Sequence, residues 1–167
     1  TLFTYLHLAG NKSQAVELMN TGVTGIAYET VTSSDGSLPL LAPMSKIAGQ
    51  ISVVVGQYFL LKPNGGIGTI LGSVENIERR VVTVIGAGVA GTEAIKKAIA
   101  NDAHLKILDL SQKRLDELKE QFGTNNIEYI LSDSSSISSA LKASDLVIGS
   151  VYVPVSYTHL RAHETVS

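Results

Sequence analysis

Five residues in a row, Val81-Val82-Thr83-Val84-Ile85, run straight into Gly86-Ala87-Gly88-Val89-Ala90-Gly91, and no other junction constrains the fold as much. The β-branched run predicts a strand. A G-x-G-x-x-G turn behind it opens a helical pattern over Gly88–Ala100, and the next apolar run, Leu105–Asp109, closes on a carboxylate 18 positions after Gly91. A lone G-x-G-x-x-G means little, but strand, turn, helix, strand and acidic end in that order form the dinucleotide-binding fingerprint. The alternation then continues, with helices over Ser111–Phe122, where Leu115 and Leu118 face inward, and Ser135–Lys142, and strands over Ile127–Leu131 and Asp145–Val151. Strands this continuously apolar suit a parallel sheet covered on both faces. The expected class is α/β, a Rossmann-type doubly wound parallel sheet with part of a second α/β domain beside it.

Each residue of the fingerprint has a chemical reason. A pyrophosphate needs unpaired N–H groups and positive potential, and the amino end of the helix beginning near Gly88 offers both. Gly86 permits the tight turn, Gly88 lets backbone approach phosphate, and Gly91 lets helix lie close on strand. Asp109 can accept the adenosine ribose hydroxyls, and its charge repels a 2′-phosphate, which favours NAD over NADP; its other reading is a strand-end Asp capping Ser111 onward. Arg114 and Lys113 either contact the adenosine side or belong to a solvated helix face. Ser132, Val151 and Tyr152 follow strands at the carboxyl edge, where ligands bind in such sheets, or are ordinary strand-end packing.

The preceding segment carries its own α/β pattern. Thr1–Ala9 alternates like a strand, Asn11 can cap a helix over Lys12–Asn20 with Ala15, Val16, Leu18 and Met19 inward, and Val23–Thr30 reads as a second strand. Ser45–Leu61 is helical, with Ala48, Gly49, Ser52 and Gly56 spaced to admit a close neighbour. The Lys62–Gly68 loop has no Gly-Lys-Ser/Thr and follows a helix, so it reads as a connection and not a phosphate cradle. The expected organisation is residues 1–39 as part of a substrate domain, 40–154 as the nucleotide domain with its linking helix, and 155–167 as a non-native tail.

Composition excludes several classes. Thirteen basic and fifteen acidic residues give a net charge of −2 with no basic block, so neither nucleic acid nor an anionic membrane is an expected partner. There is no cysteine, hence no disulfide, thiolate metal site or Cys nucleophile, which fits a reducing, cytoplasmic setting. No apolar run reaches the ~18 residues of a membrane span. A start at Thr1 in an apolar run without a charged leader reads as a chain cut from something longer.

Several blocks go beyond the fingerprint: Leu2-Phe3-Thr4-Tyr5-Leu6-His7-Leu8-Ala9, Gly25-Ile26-Ala27-Tyr28-Glu29-Thr30-Val31, Leu38-Pro39-Leu40-Leu41-Ala42-Pro43-Met44-Ser45, Lys62-Pro63-Asn64-Gly65-Gly66 and Ala143-Ser144-Asp145-Leu146-Val147-Ile148-Gly149. Together they resemble the bacterial alanine dehydrogenase family from Thr1 to about Pro154, and more loosely the alpha subunit of nicotinamide nucleotide transhydrogenase. The resemblance implies NAD-dependent, reversible oxidation of L-alanine to pyruvate and ammonium by a homo-hexamer. The alternatives are a transhydrogenase subunit, which passes hydride to a second nucleotide, and a non-catalytic NAD-binding module.

His7 matches the family's active-site histidine, which hydrogen-bonds substrate and assists proton transfer; by itself a strand-end histidine is more often structural, although imidazole suits that task. Ser45 matches a cofactor-contacting serine. Val89, Ala90, Asp109, Arg114, Ser132, Val151 and Tyr152 fall where the family touches NAD. Glu29 reads as structural, with no mechanism attached. Ile67 stands where the family has Arg, and Tyr152 where it has a smaller aliphatic side chain. The family's substrate-holding Arg and Lys lie before Thr1 and its catalytic Asp after the match, so this piece is expected to be inactive alone. Val155 to Thr165 resembles a translated sequencing adapter, and for that reason His159, His163 and Glu164 are not read as a metal site.

Overall fold

The computed structural model describes Thr1–Val151, in two compact units, Thr1–Pro43 and Met44–Val151. Tyr152 and the tail with its two histidines lie outside the described residues.

In the second unit, β3 (Val81–Ile85), β4 (His104–Asp109), β5 (Ile127–Leu131) and β6 (Leu146–Gly149) form one parallel sheet in the order β5-β4-β3-β6. The helices α3 (Val89–Ala100), α4 (Gln112–Phe122) and α5 (Ser134–Lys142) make the crossovers. From β3 the chain winds outward through β4 and β5, then returns to add β6 on the other side of β3. That reversal is the topological switch point of a doubly wound sheet, and it puts the crevice for ligands between the carboxyl ends of β3 and β6.

The consecutive Val82, Thr83 and Val84 are all fully buried, so both faces of the sheet are covered. Thr83 is polar yet satisfied: its hydroxyl donates to Ser144 Oγ at 2.5 Å, and Ser144 Oγ donates to the Ala140 carbonyl at 2.6 Å. Leu115 and Leu118 of α4 are buried, as their spacing predicts. The helix α2 (Ala42–Leu60) begins three residues earlier than its periodicity suggests, with Pro43 in its first turn, where the missing N–H costs nothing. Its small residues do admit neighbours. A Cβ on Gly49 would stand 2.1 Å from the Ala90 carbonyl oxygen, and one on Gly56 would meet Leu146 Cδ1 at 2.5 Å. After a short 3-10 turn over Lys62–Asn64, the Gly68 N–H donates back to the Leu60 carbonyl, the last of this helix, at 2.9 Å.

The first unit is slighter. Parallel strands β1 (Leu2–Thr4) and β2 (Gly25–Ala27) have three residues each and flank α1 (Lys12–Asn20). Asn11 caps α1, its side-chain oxygen accepting from the Gln14 N–H at 3.2 Å. Both strands are shorter than the sequence pattern suggests. The ladder ends at Thr4 and Ala27; beyond it His7 is left-handed, with φ of 48° and ψ of 41°, and Tyr28–Thr30 turns into a 3-10 helix. The inward face assigned to α1 is covered only in part. Ala15 and Leu18 are half-buried, whereas Val16 and Met19 are exposed, Met19 at 77%.

Candidate functional site

The Gly86–Gly91 turn sits at the carboxyl end of β3, and each of its glycines answers to a different neighbour. Gly86 has φ of 88°, and a Cβ there would come within 2.9 Å of Val151 Cγ2. On Gly91 a Cβ would lie 2.0 Å from the Gly86 carbonyl oxygen and 2.7 Å from Ser150 Oγ. Those two are glycine because the protein itself leaves no room. Gly88 is different: nothing lies within 4 Å of its Cβ position. The side of Gly88 that a side chain would occupy is clear, which suits close approach of an outside group to the backbone.

The helices differ in the same sense. Asn11, Ser111 and Asp133 each place a side-chain oxygen on a first-turn N–H of α1, α4 and α5, whereas α3 starts at Gly88 with no side-chain cap. Its first-turn N–H groups, which no helix can satisfy internally, therefore face outward with the positive end of the dipole. Val89 and Ala90 open this turn, and the Ala90 carbonyl is where α2 presses in through Gly49. Ser45 lies one helical turn before Gly49 on the same face of α2.

Asp109 ends β4 beside this turn. One carboxylate oxygen accepts the Ala87 N–H at 2.7 Å and the other the Ser111 N–H at 2.9 Å. The capping interaction thus exists, and with it a tether to the glycine turn; each oxygen retains a further lone pair for an outside hydroxyl. Arg114 serves the same turn from behind. Its Nε donates to the Ala87 carbonyl at 2.9 Å, and its two terminal nitrogens donate to Thr92 Oγ1 at 2.8 Å and Glu117 at 2.9 Å. Ser132 follows β5, its N–H donating to the Asp109 carbonyl at 2.9 Å. Val151 follows β6 and packs on Gly86. The structure therefore gathers Gly86 to Gly91, Asp109, Arg114, Ser132 and Val151 at one edge of the sheet, while Tyr152 falls outside the described residues.

Sequence reasoning passed over Ser150, whose hydroxyl donates to the Gly86 carbonyl at 2.5 Å and pins the turn to the end of β6. Its only signal was its place near the carboxyl end of the strand expected over Asp145–Val151, which in the structure stops at Gly149. Ile67, in the position of the family's Arg, is exposed. No cluster of three or more metal-ligating side chains occurs among the described residues, and none of the described helices is long and apolar enough to cross a membrane.

In the first unit, His7 stands three residues beyond the end of β1, just before the 3-10 turn Leu8–Gly10. Its ring stacks on Tyr5 at 5.7 Å between centroids and 13° between planes, with the Tyr5 hydroxyl 3.3 Å from His7 Nδ1. Its N–H donates to Glu29 Oε1 at 2.7 Å, and the Leu6 N–H reaches both Glu29 oxygens at 3.2 Å. Burial pushes the Glu29 carboxyl up, but the N–H bonds from His7 and Leu6 and the charge His7 can carry together hold it below the ordinary glutamate value. Left-handed backbone in a non-glycine residue costs on the order of 1–3 kcal/mol, and two charge-assisted bonds at this corner are a sufficient source.

Comparison with known proteins agrees with both units. The family model described as "Alanine dehydrogenase/PNT, C-terminal domain" matches residues 52–160, and its N-terminal counterpart matches residues 1–48. The chain belongs to the alanine dehydrogenase/PNT family. Among alanine dehydrogenase/PNT proteins, it is 46% identical over 165 residues to alanine dehydrogenase of Geobacillus stearothermophilus, covering 99% of this chain and 44% of that protein. To that of Staphylococcus haemolyticus it is 48% identical over 153 residues, covering 92% and 41%. The chain thus spans less than half the length of these curated relatives. A solved L-alanine dehydrogenase superposes with a TM-score of 0.79 at 44% identity over 87% of this chain and 40% of that one. The transhydrogenase of Sinorhizobium meliloti superposes at 0.71 but with 18% identity, over 92% and 45%, a likeness of fold alone.

Proposed function

We propose that these residues belong to an enzyme that converts L-alanine, NAD and water into pyruvate, ammonium, NADH and a proton, reversibly. What carries this reading is the uncapped Gly88–Gly91 turn beside Asp109, in a chain nearly half identical to proteins named alanine dehydrogenase. The residues present fit a dinucleotide: the clear side of Gly88 and the bare helix terminus suit a pyrophosphate, and a strand-end carboxylate suits ribose hydroxyls. When bound, NAD supplies the acceptor for the hydride that leaves the alanine Cα.

The chain's own residues divide the remaining work. The N–H groups of Gly88, Val89, Ala90 and Gly91 hold the diphosphate, and Gly86 shapes their turn. Asp109 takes the adenosine ribose and disfavours a 2′-phosphate. Arg114 acts through the Ala87 carbonyl, keeping the turn's back side fixed. Ser132 and Val151 border the dinucleotide along the strand ends, and Ser45 does so from α2. His7 hydrogen-bonds the substrate and moves a proton at the carbon that bears the amine in alanine and the carbonyl in pyruvate.

The test is the whole protein that carries these residues, given NAD and L-alanine. NADH absorbance growing with alanine is expected, and loss of it in His7→Ala. Hydride exchange between two nucleotides without alanine turnover would replace this reading with the transhydrogenase one. NADH fluorescence titration of the 167-residue chain examines the cofactor half separately.

A further inference from the structure

Beyond the short ladder of the first unit, the backbone amides of Leu6 and His7 have left the sheet. Register alone shows where their partner comes from. Leu2 pairs with Gly25 and Thr4 with Ala27, so a continued ladder would set Leu6 opposite Glu29. The second strand instead curls into its 3-10 turn, Thr30 Oγ1 donating back to the Ala27 carbonyl at 2.8 Å, and the Glu29 side chain takes the place its backbone vacates. One carboxylate then receives both amides, with its shortest contact, 2.7 Å, to His7 itself.

We infer that Glu29 is a positioning residue for the proposed proton transfer, fixing the left-handed backbone of His7 so that its imidazole, stacked on Tyr5, is held in a single orientation. This rests on the reading that His7 moves the proton. Three observations lead to it. His7 is one of four non-glycine residues with positive φ among the described residues, and it alone among them receives a carboxylate on its own N–H. Packing cannot set its backbone, because Leu6 is the one buried apolar side chain in the described part of this unit. Tyr5 lies against the ring, at 13° between planes, and a ring so placed needs the main chain beneath it to stay put. Misplacement of a reacting group by about 1 Å can cost on the order of a hundredfold in rate, so an anchor on that main chain has leverage on turnover.

Glu29→Ala and Glu29→Gln separate the possibilities. Glutamine keeps one oxygen where Oε1 now accepts both amides, and alanine keeps none. In the whole enzyme, kcat is expected to fall on the order of 30- to 100-fold in Glu29→Ala and about three- to tenfold in Glu29→Gln, with KM for NAD within about twofold in both. A merely structural residue would instead lower the active fraction or disturb both substrates alike. In the isotopically labelled 167-residue chain, the strong intraresidue Hα–HN cross-peak that a positive φ produces at His7 is expected to survive in Glu29→Gln and vanish in Glu29→Ala. Should Glu29→Ala not fold, Glu29→Gln still has to show the intermediate loss of kcat. A Glu29→Ala enzyme within threefold of the parent, or a cross-peak that persists without the carboxylate, overturns the inference. Full turnover in His7→Ala would overturn the reading beneath it, a result told apart from the first because the NMR arm needs no turnover.

Discussion

The two units solve the same problem, holding backbone in an unusual conformation, by different physics. Around Gly86 the turn is gripped by volume: Val151, Ser150 and the turn's own carbonyl fill the space a Cβ would need, over a core in which Val82, Val84, Leu105 and Leu118 are fully buried. Around His7 little is buried, and a carboxylate on its N–H and a neighbouring ring against its imidazole bear on the conformation. The difference teaches that a packed site tolerates loss of one hydrogen bond and fails on added bulk. A polar corner does the reverse.

The largest expected effect tests bulk. Gly91→Val has to displace the Gly86 carbonyl, and should cost about 3 kcal/mol of stability or more together with all NADH binding; melting and fluorescence titration of the 167-residue chain read both. Unchanged melting would mean that the turn is not held by volume. Leu118→Ala, at a fully buried position, should cost about 2–5 kcal/mol, whereas Met19→Ala, 77% exposed on α1, should stay within about 0.5 kcal/mol. Equal losses would show that the first unit has a core after all. Asp109→Ala removes the acceptor from Ala87 and Ser111 and should weaken NADH binding on the order of tenfold, with stability down by about 1–3 kcal/mol.

The smallest effect is in the pH response. The Glu29 carboxyl is held below its ordinary value of 4.5, so its stabilising contribution is complete above that value and is lost as pH falls through the lowered one. Hydrogen exchange on acidification should therefore release the His7 and Leu6 amides while those of β3 and β4 stay protected. Simultaneous release would erase the distinction between the two corners.

What the sequence made legible follows the same divide. The strand-turn-helix at Gly86, the inward leucines of α4 and the cap Asn11 depend on neighbours a few residues away, and their residue types announce them. Glu29 was unreadable in that sense, since the amides it serves are 22 and 23 positions distant and reach it only through the register of two short strands. The alternation of Thr1–Ala9 also gave no sign that the ladder ends at Thr4, because a left-handed His7 leaves no mark in hydropathy. Arg114 was placed in the correct neighbourhood, but the fact that all three of its guanidinium nitrogens engage protein atoms depends on the conformation of Ala87 and Thr92.

The reversal that brings β6 back beside β3 has a consequence in time. Val82 pairs with Leu146 and the Gly86 carbonyl receives Ser150, so the glycine turn is completed by residues made more than sixty positions later. The local crossovers β3-α3-β4 and β4-α4-β5 can form with short loops, while the last pairing must close a long one and comes late. If the turn holds a nucleotide as proposed, affinity for it is expected at the end of folding and not along with the sheet. In refolding kinetics, cofactor capture would register the arrival of the final strand.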